Sequence, residues 1–78
     1  MDREDILKRV TQLFSLMTDE EILAESELSN DLGISSMDVL SLMSYVEEEF
    51  EIKVGVNDIC NMVTVNDVVD FVEDSSKG

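Results

Sequence analysis

Apolar residues recur at helical spacing in three stretches of this 78-residue chain. Between Arg3 and Met17, the residues Ile6, Leu7, Val10, Leu13, Phe14 and Met17 make one stripe, which predicts a helix over about 3–17. Asp2, Glu4 and Asp5 lie in its first turn, where negative charge complements the positive end of the helix dipole. Met37, Leu40, Met43, Val46 and Phe50 repeat the spacing, widened by Val39 and Leu42, and predict a helix over about 37–51. Ser35 or Ser36 supplies its N-cap and Asp38 sits in its first turn. Val65, Val68, Val69 and Val72 fall at i, i+3, i+4 and i+7, with Phe71 beside them. So many valines suit a strand, but the acids at 67, 70, 73 and 74 keep a helical period. A helix over about 65–73 is predicted, opened by the capping-box pattern Thr64-Val-Asn-Asp67.

The segments between are irregular. Thr18 to Ser35 is a long connection with one possible short turn at Thr18-Asp-Glu-Glu21. Ile22, Leu23, Leu28, Leu32 and Ile34 are spaced as anchors that pin it to the core. Gly33 suits a left-handed or crowded backbone position. Ile52 to Val56 reads as extended, about 57–62 as a short helix, and Ser75-Ser-Lys-Gly as a frayed tail. There is no internal repeat and no room for a second core. The expectation is one all-α domain over 1–78, a small bundle of three main helices plus a short fourth, with a long loop between helices 1 and 2.

Composition narrows the chemistry. Histidine is absent, which removes imidazole triads and His-ligated zinc. A single cysteine, Cys60, excludes an internal disulfide and multi-thiolate metal sites. Cys60 itself, among Ile59 and Met62, reads as an inert core thiol, and Tyr45 as a packing residue. No run is long and apolar enough to insert in a membrane, and the charged start Met1-Asp-Arg-Glu-Asp lacks a secretory core. With a lone thiol, this points to the cytoplasm. The net charge is −14, and from Val10 to Ser76 Lys53 is the only base among sixteen acids. Such a surface repels nucleic acid and anionic lipid and attracts basic protein patches, although acidity also serves solubility alone. The acids do not make an EF-hand: Asp19-Glu-Glu-Ile-Leu breaks the ligand spacing by its fourth residue, and Asn30-Asp-Leu-Gly33 places glycine too early. No specific metal site is expected.

Glu47, Glu48, Glu49 and Glu51 crowd the C-terminus of the second helix, where the dipole favours cations and each misplaced charge costs roughly 0.3–1 kcal/mol at low salt. Selection for stability alone would place lysines here. The cluster reads equally as a recognition surface and as a solvated acidic face screened by salt.

The stretch Asp31-Leu-Gly-Ile-Ser-Ser-Met-Asp-Val-Leu40 joins a loop, a glycine and two serines to an acid-fronted helix. Here the chain resembles the acyl carrier proteins and the related peptidyl- and D-alanyl-carrier domains, in which a D-L-G-x-D-S-L loop ends in a serine that carries 4′-phosphopantetheine. Asp31-Leu-Gly registers that serine at Ser36. Ser35 stands where the family usually has an acid and is left to cap or support the loop. For Ser36 the plain alternative is an N-cap. The resemblance runs through the rest of helix 2, the short helix and Thr64-Val65, with helix 1 matching by pattern. It implies the acyl-carrier bundle and a monomeric carrier, not an enzyme. Such a carrier holds acyl groups as thioesters on a covalent phosphopantetheine arm and presents them to fatty-acid, polyketide or related biosynthetic enzymes. It further implies a phosphopantetheinyl transferase, and acyl-loading and acyl-processing partners whose basic patches dock on Asp38, Glu47, Glu48 and, by proximity, Glu51. Met37, Leu40, Met43, Val46, Ile59 and Met62 are candidates for an acyl pocket, their other role being core. An aminoacyl, peptidyl or D-alanyl carrier is the alternative within the family. An acidic helical adaptor with no prosthetic group is the alternative outside it.

Overall fold

A computed structural model describes residues 2–76. Four helices follow in order: α1 (Arg3–Phe14), α2 (Ser36–Phe50), α3 (Val56–Cys60) and α4 (Val65–Ser76). No strand is present among the described residues, only an isolated bridge between Glu27 and Thr64. α1 packs chiefly on α4 and secondarily on α2, and α3 leans on α2. The stripes meet in one core. Ile6, Val10 and Phe14 of α1 face Val65, Val68, Val69 and Val72 of α4, and Val39, Leu42, Met43 and Val46 of α2 complete it. Each such side chain contributes about 1.5–3 kcal/mol when fully buried. Arg3 fastens α1 to α4: its guanidinium lies 2.6 Å from the Asp70 carboxylate and donates to Asn66 Oδ1 at 3.0 Å. The hydrogen bond to Asp70 holds Arg3 above its ordinary pKa.

The helix ends differ from the sequence expectation for local reasons. α1 stops at Phe14, not near 17, because Leu16 and Met17 donate to Leu13 and Phe14, a tightening to i→i+3 bonds. α3 runs from Val56, one residue early, because the Asp58 carboxylate accepts the Gly55 N–H at 3.0 Å and starts the turn there. It ends at Cys60, where Asn61 and Met62 again donate three residues back. α4 continues through Ser75 and Ser76, which were expected to fray; Lys77 and Gly78 lie outside the described residues. Its start matches the expected capping box: Thr64 Oγ1 accepts from Asp67 N–H, and the Asp67 carboxylate accepts from Thr64 and Val63. Those bonds, Thr64's first, lower the Asp67 pKa.

The long connection is ordered by backbone pairing to the α3–α4 turn. Leu28 N–H donates to Val63 O at 2.9 Å, and Val65 and Asn66 donate to Ser26 and Ala24. Leu28, Leu32 and Ile34 are buried anchors and Ile22 is partly buried. Leu23 is not an anchor. It is half-exposed, and the inward residue of that turn is Ser26, whose hydroxyl accepts the Leu23 N–H at 2.9 Å. At Thr18 a single bond to Glu20 N–H forms and no helix follows. Gly33 has φ +65°, the left-handed conformation expected, but the space around it is open, not crowded.

Candidate functional site

The loop delivers two serines to the start of α2, and the structure gives them different tasks. Ser35 is extended (φ −73°, ψ 164°) and its hydroxyl accepts the Asp38 N–H at 3.2 Å, so Ser35 is the N-cap. Ser36 is the first helical residue, is exposed, and has a hydroxyl that the cap does not use. The Val39 N–H returns to Ser35 O. The Ser36 and Met37 N–H groups take no acceptor among the described residues. A hydroxyl therefore stands beside two free donors at the positive end of a 15-residue helix.

Ser36 also borders a cleft of about 410 Å³ between α2 and α3. Of the acyl-pocket candidates, Leu40, Ile59 and Met62 line it. The other three do not. Met43 and Val46 are fully enclosed in the core. Met37 is 78% exposed on the surface beside Ser36. The α2 stripe is thus narrower than its pattern: Val39, Leu42, Met43 and Val46 are buried, while Met37 and Leu40 lie outside because five-residue α3 is too short to cover them. Val56, Cys60, Val39, Ile34 and Ser29 also line it. Cys60 is exposed, not an inert core thiol, since α3 contributes no buried residue to the core. Tyr45 is likewise half-exposed on the solvent side of α2. Sequence reading missed Val56 by assigning it to an extended connection; an apolar residue at the start of a helix too short to bury it was the available signal.

The acidic candidates do not form one patch. Asp38 is exposed in the first turn of α2, next to Ser36. Glu48 and Glu51 are exposed at the far end. Glu47 is half-buried and accepts the Val54 N–H at 2.9 Å, tying down the segment after the helix. Glu49 approaches Arg9 of α1 at 3.6 Å, so part of the charge at this helix end meets a cation from another element. Among the described residues no cluster of acids and cysteine has the arrangement of a metal site. No helix there is long and apolar enough to cross a membrane.

Comparison with known proteins bears on the same residues. A family model described as "Phosphopantetheine attachment site" matches residues 4–72. An acyl carrier protein of Campylobacter lari is 33% identical over 75 residues, covering 95% of each chain. One from Cyanidium caldarium is 35% identical over 75 residues, covering 92% of this chain and 87% of that one. The structure of acyl carrier protein from Enterococcus faecalis superposes with a TM-score of 0.82 at 26% identity, over 96% of this chain and 99% of the other. A mitochondrial acyl carrier protein of Toxoplasma reaches 0.89 at 19% identity, over 99% and 93%, a likeness of fold. Members of this family are carriers that bear phosphopantetheine and have no catalytic activity of their own. With its bundle, its serine-tipped second helix and these matches along nearly its whole length, the chain belongs to the acyl carrier protein family.

Proposed function

We propose that Ser36 carries the phosphopantetheine arm and that the protein presents apolar acyl groups to biosynthetic enzymes. The observation that supports this most is the division of labour between the two serines. Ser35 holds the helix start, and Ser36 keeps an exposed hydroxyl beside the unpaired N–H groups of its own turn. The surroundings fit the group: the free donors and helix dipole suit a phosphodiester, and the uncharged wall of Leu40, Val56, Ile59 and Met62 suits an aliphatic chain. When attached, the arm supplies a terminal thiol that holds acyl groups as thioesters. Ser36 Oγ provides the anchoring oxygen, the first turn of α2 stabilises the phosphate charge, and the cleft beside it excludes water from apolar cargo. Asp38, Glu48 and Glu51, with the free edge of Glu47, meet basic residues of the arm-transferring and acyl-handling enzymes, and such pairs raise encounter rate and selectivity more than affinity.

The test is intact mass before and after incubation with coenzyme A, Mg²⁺ and a broad-specificity phosphopantetheinyl transferase, followed by peptide mapping. The expected result is a gain of one phosphopantetheine located at Ser36. A gain located at Ser35, or none in the folded protein, overturns the assignment.

A further inference from the structure

Cys60 is the chain's only cysteine, so a disulfide partner within the molecule must be brought to it. It is exposed at the last residue of α3 and lines the same cleft as Ser36. α3 buries no residue in the core, so a bond made at its end asks nothing of core packing. The family to which the chain belongs bears phosphopantetheine, and that arm ends in a thiol. One cleft therefore holds both the anchor of a tethered thiol and the fixed position of a second.

Resting on the assignment of the arm to Ser36, we propose that Cys60 is a redox latch, forming a reversible disulfide with the thiol of an arm that carries no acyl group. The oxidant is a low-molecular-weight disulfide such as glutathione disulfide. In the first step the Cys60 thiolate attacks one of its sulfurs, the S–S bond breaks and one glutathione thiolate leaves. Cys60 Sγ, now in a mixed disulfide, is attacked by the arm's thiolate, and the second glutathione leaves. The two protein thiols lose two protons and two electrons, and glutathione disulfide becomes two glutathiones. A flexible tether holds its end at an effective concentration on the order of 1 mM, so the second step competes with free glutathione. Charge favours it further. Glutathione is anionic and the chain carries −14, so a glutathione adduct is held against repulsion that ring closure relieves. An acylated arm has no free thiol, so the latch closes on unloaded carriers alone. Closed, it withholds the arm from loading and keeps both sulfurs from irreversible oxidation.

The test uses the chain with its arm attached, reduced, diluted and equilibrated in glutathione buffers of rising disulfide content. Intact mass under non-reducing conditions is expected to show a monomer two hydrogens lighter than the reduced form, with no glutathione attached and no thiol open to alkylation. Peptide mapping should join the Ser36 peptide, through the arm, to the Cys60 peptide. Half-closure is expected where [GSH]²/[GSSG] is on the order of 1 mM. Cys60→Ser, a substitution at an exposed residue, keeps the arm's thiol and is expected to finish as a glutathione adduct under the same conditions. Three results overturn the latch: a wild-type chain that collects glutathione as the variant does, one that instead joins into dimers in dilute solution, or half-closure only below about 10 µM. Mapping of the reduced chain keeps the two readings apart. An arm on another residue defeats the Ser36 assignment and the latch with it, whereas an arm on Ser36 without a ring defeats the latch alone.

Discussion

Adjacent serines with the same side chain acquire opposite roles from a change of one helical position. Ser35 precedes the helix, so its Oγ reaches the Asp38 N–H, three residues on, and satisfies one of the donors that every helix start leaves open. Ser36 is the first residue inside the helix and its hydroxyl takes no part in the cap. Stability and modification should therefore separate cleanly. Ser35→Ala is expected to lower the unfolding free energy by about 1 kcal/mol while leaving Ser36 modifiable. Ser36→Ala should stay within about 0.5 kcal/mol of wild type and accept no arm. Urea denaturation together with intact mass reads both, and equal destabilisation by the two substitutions would mean that they share the cap.

At the other end of α2, the element finishes on a residue poorly suited to its backbone. Glu51 adopts φ 55°, ψ 48°, and both its N–H and that of Ile52 (3.1 Å) donate to Glu47 O, a left-handed helix end with a glutamate where glycine is preferred. Glu51→Gly should stabilise the protein by about 0.5–1 kcal/mol by removing the left-handed strain. The neighbouring acids should respond differently from one another. Glu48→Lys improves the match to the dipole and should stabilise by a few tenths of a kcal/mol, about 0.3–1 at low salt. Glu47→Lys removes the acceptor of Val54 N–H and should destabilise, so a thermal-melt series that ranks the two lysine variants alike would refute the role of that bond. This difference shows what a sequence can and cannot display. The helices were legible because Ile6-Val10-Phe14 and Val65-Val68-Val69-Val72 leave only one face to bury. The proposal of Ser36 as the attachment point rests on the register that Asp31-Leu-Gly sets. The fates of Met37, Leu40, Glu47 and Cys60 were not, because each depends on how much of α2 the short α3 covers and where the following segment returns. Those are properties of packing that periodicity does not carry.

The whole molecule carries its −14 charge with few internal cations, and they are placed economically. Arg3 joins α1 to α4 at Asp70 and Arg9 joins α1 to α2 at Glu49, so the N-terminal helix is the cationic strut against which two acidic helices rest. Against this background of mutual repulsion, Asp67 is a carboxylate whose ionised form the fold favours. Backbone N–H groups of Thr64 and Val63 point at it, and they link the start of α4 to the turn that also pairs with the long connection. Its pKa is lowered in the folded state, so folding favours the ionised form. The resulting stability is fully present above the unfolded value, about 3.9, and disappears as pH falls through the lower folded value. Asp67→Asn keeps an acceptor oxygen but not the charge. It should be less stable than wild type at neutral pH, with the gap closing as pH falls through and below about 4. Repulsion among the other acids is common to both proteins and cancels in the difference. Unfolding free energies measured in parallel across that range read the Asp67 contribution directly, and a gap independent of pH would show that the hydrogen bonds at Asp67 stabilise α4 without any help from its charge.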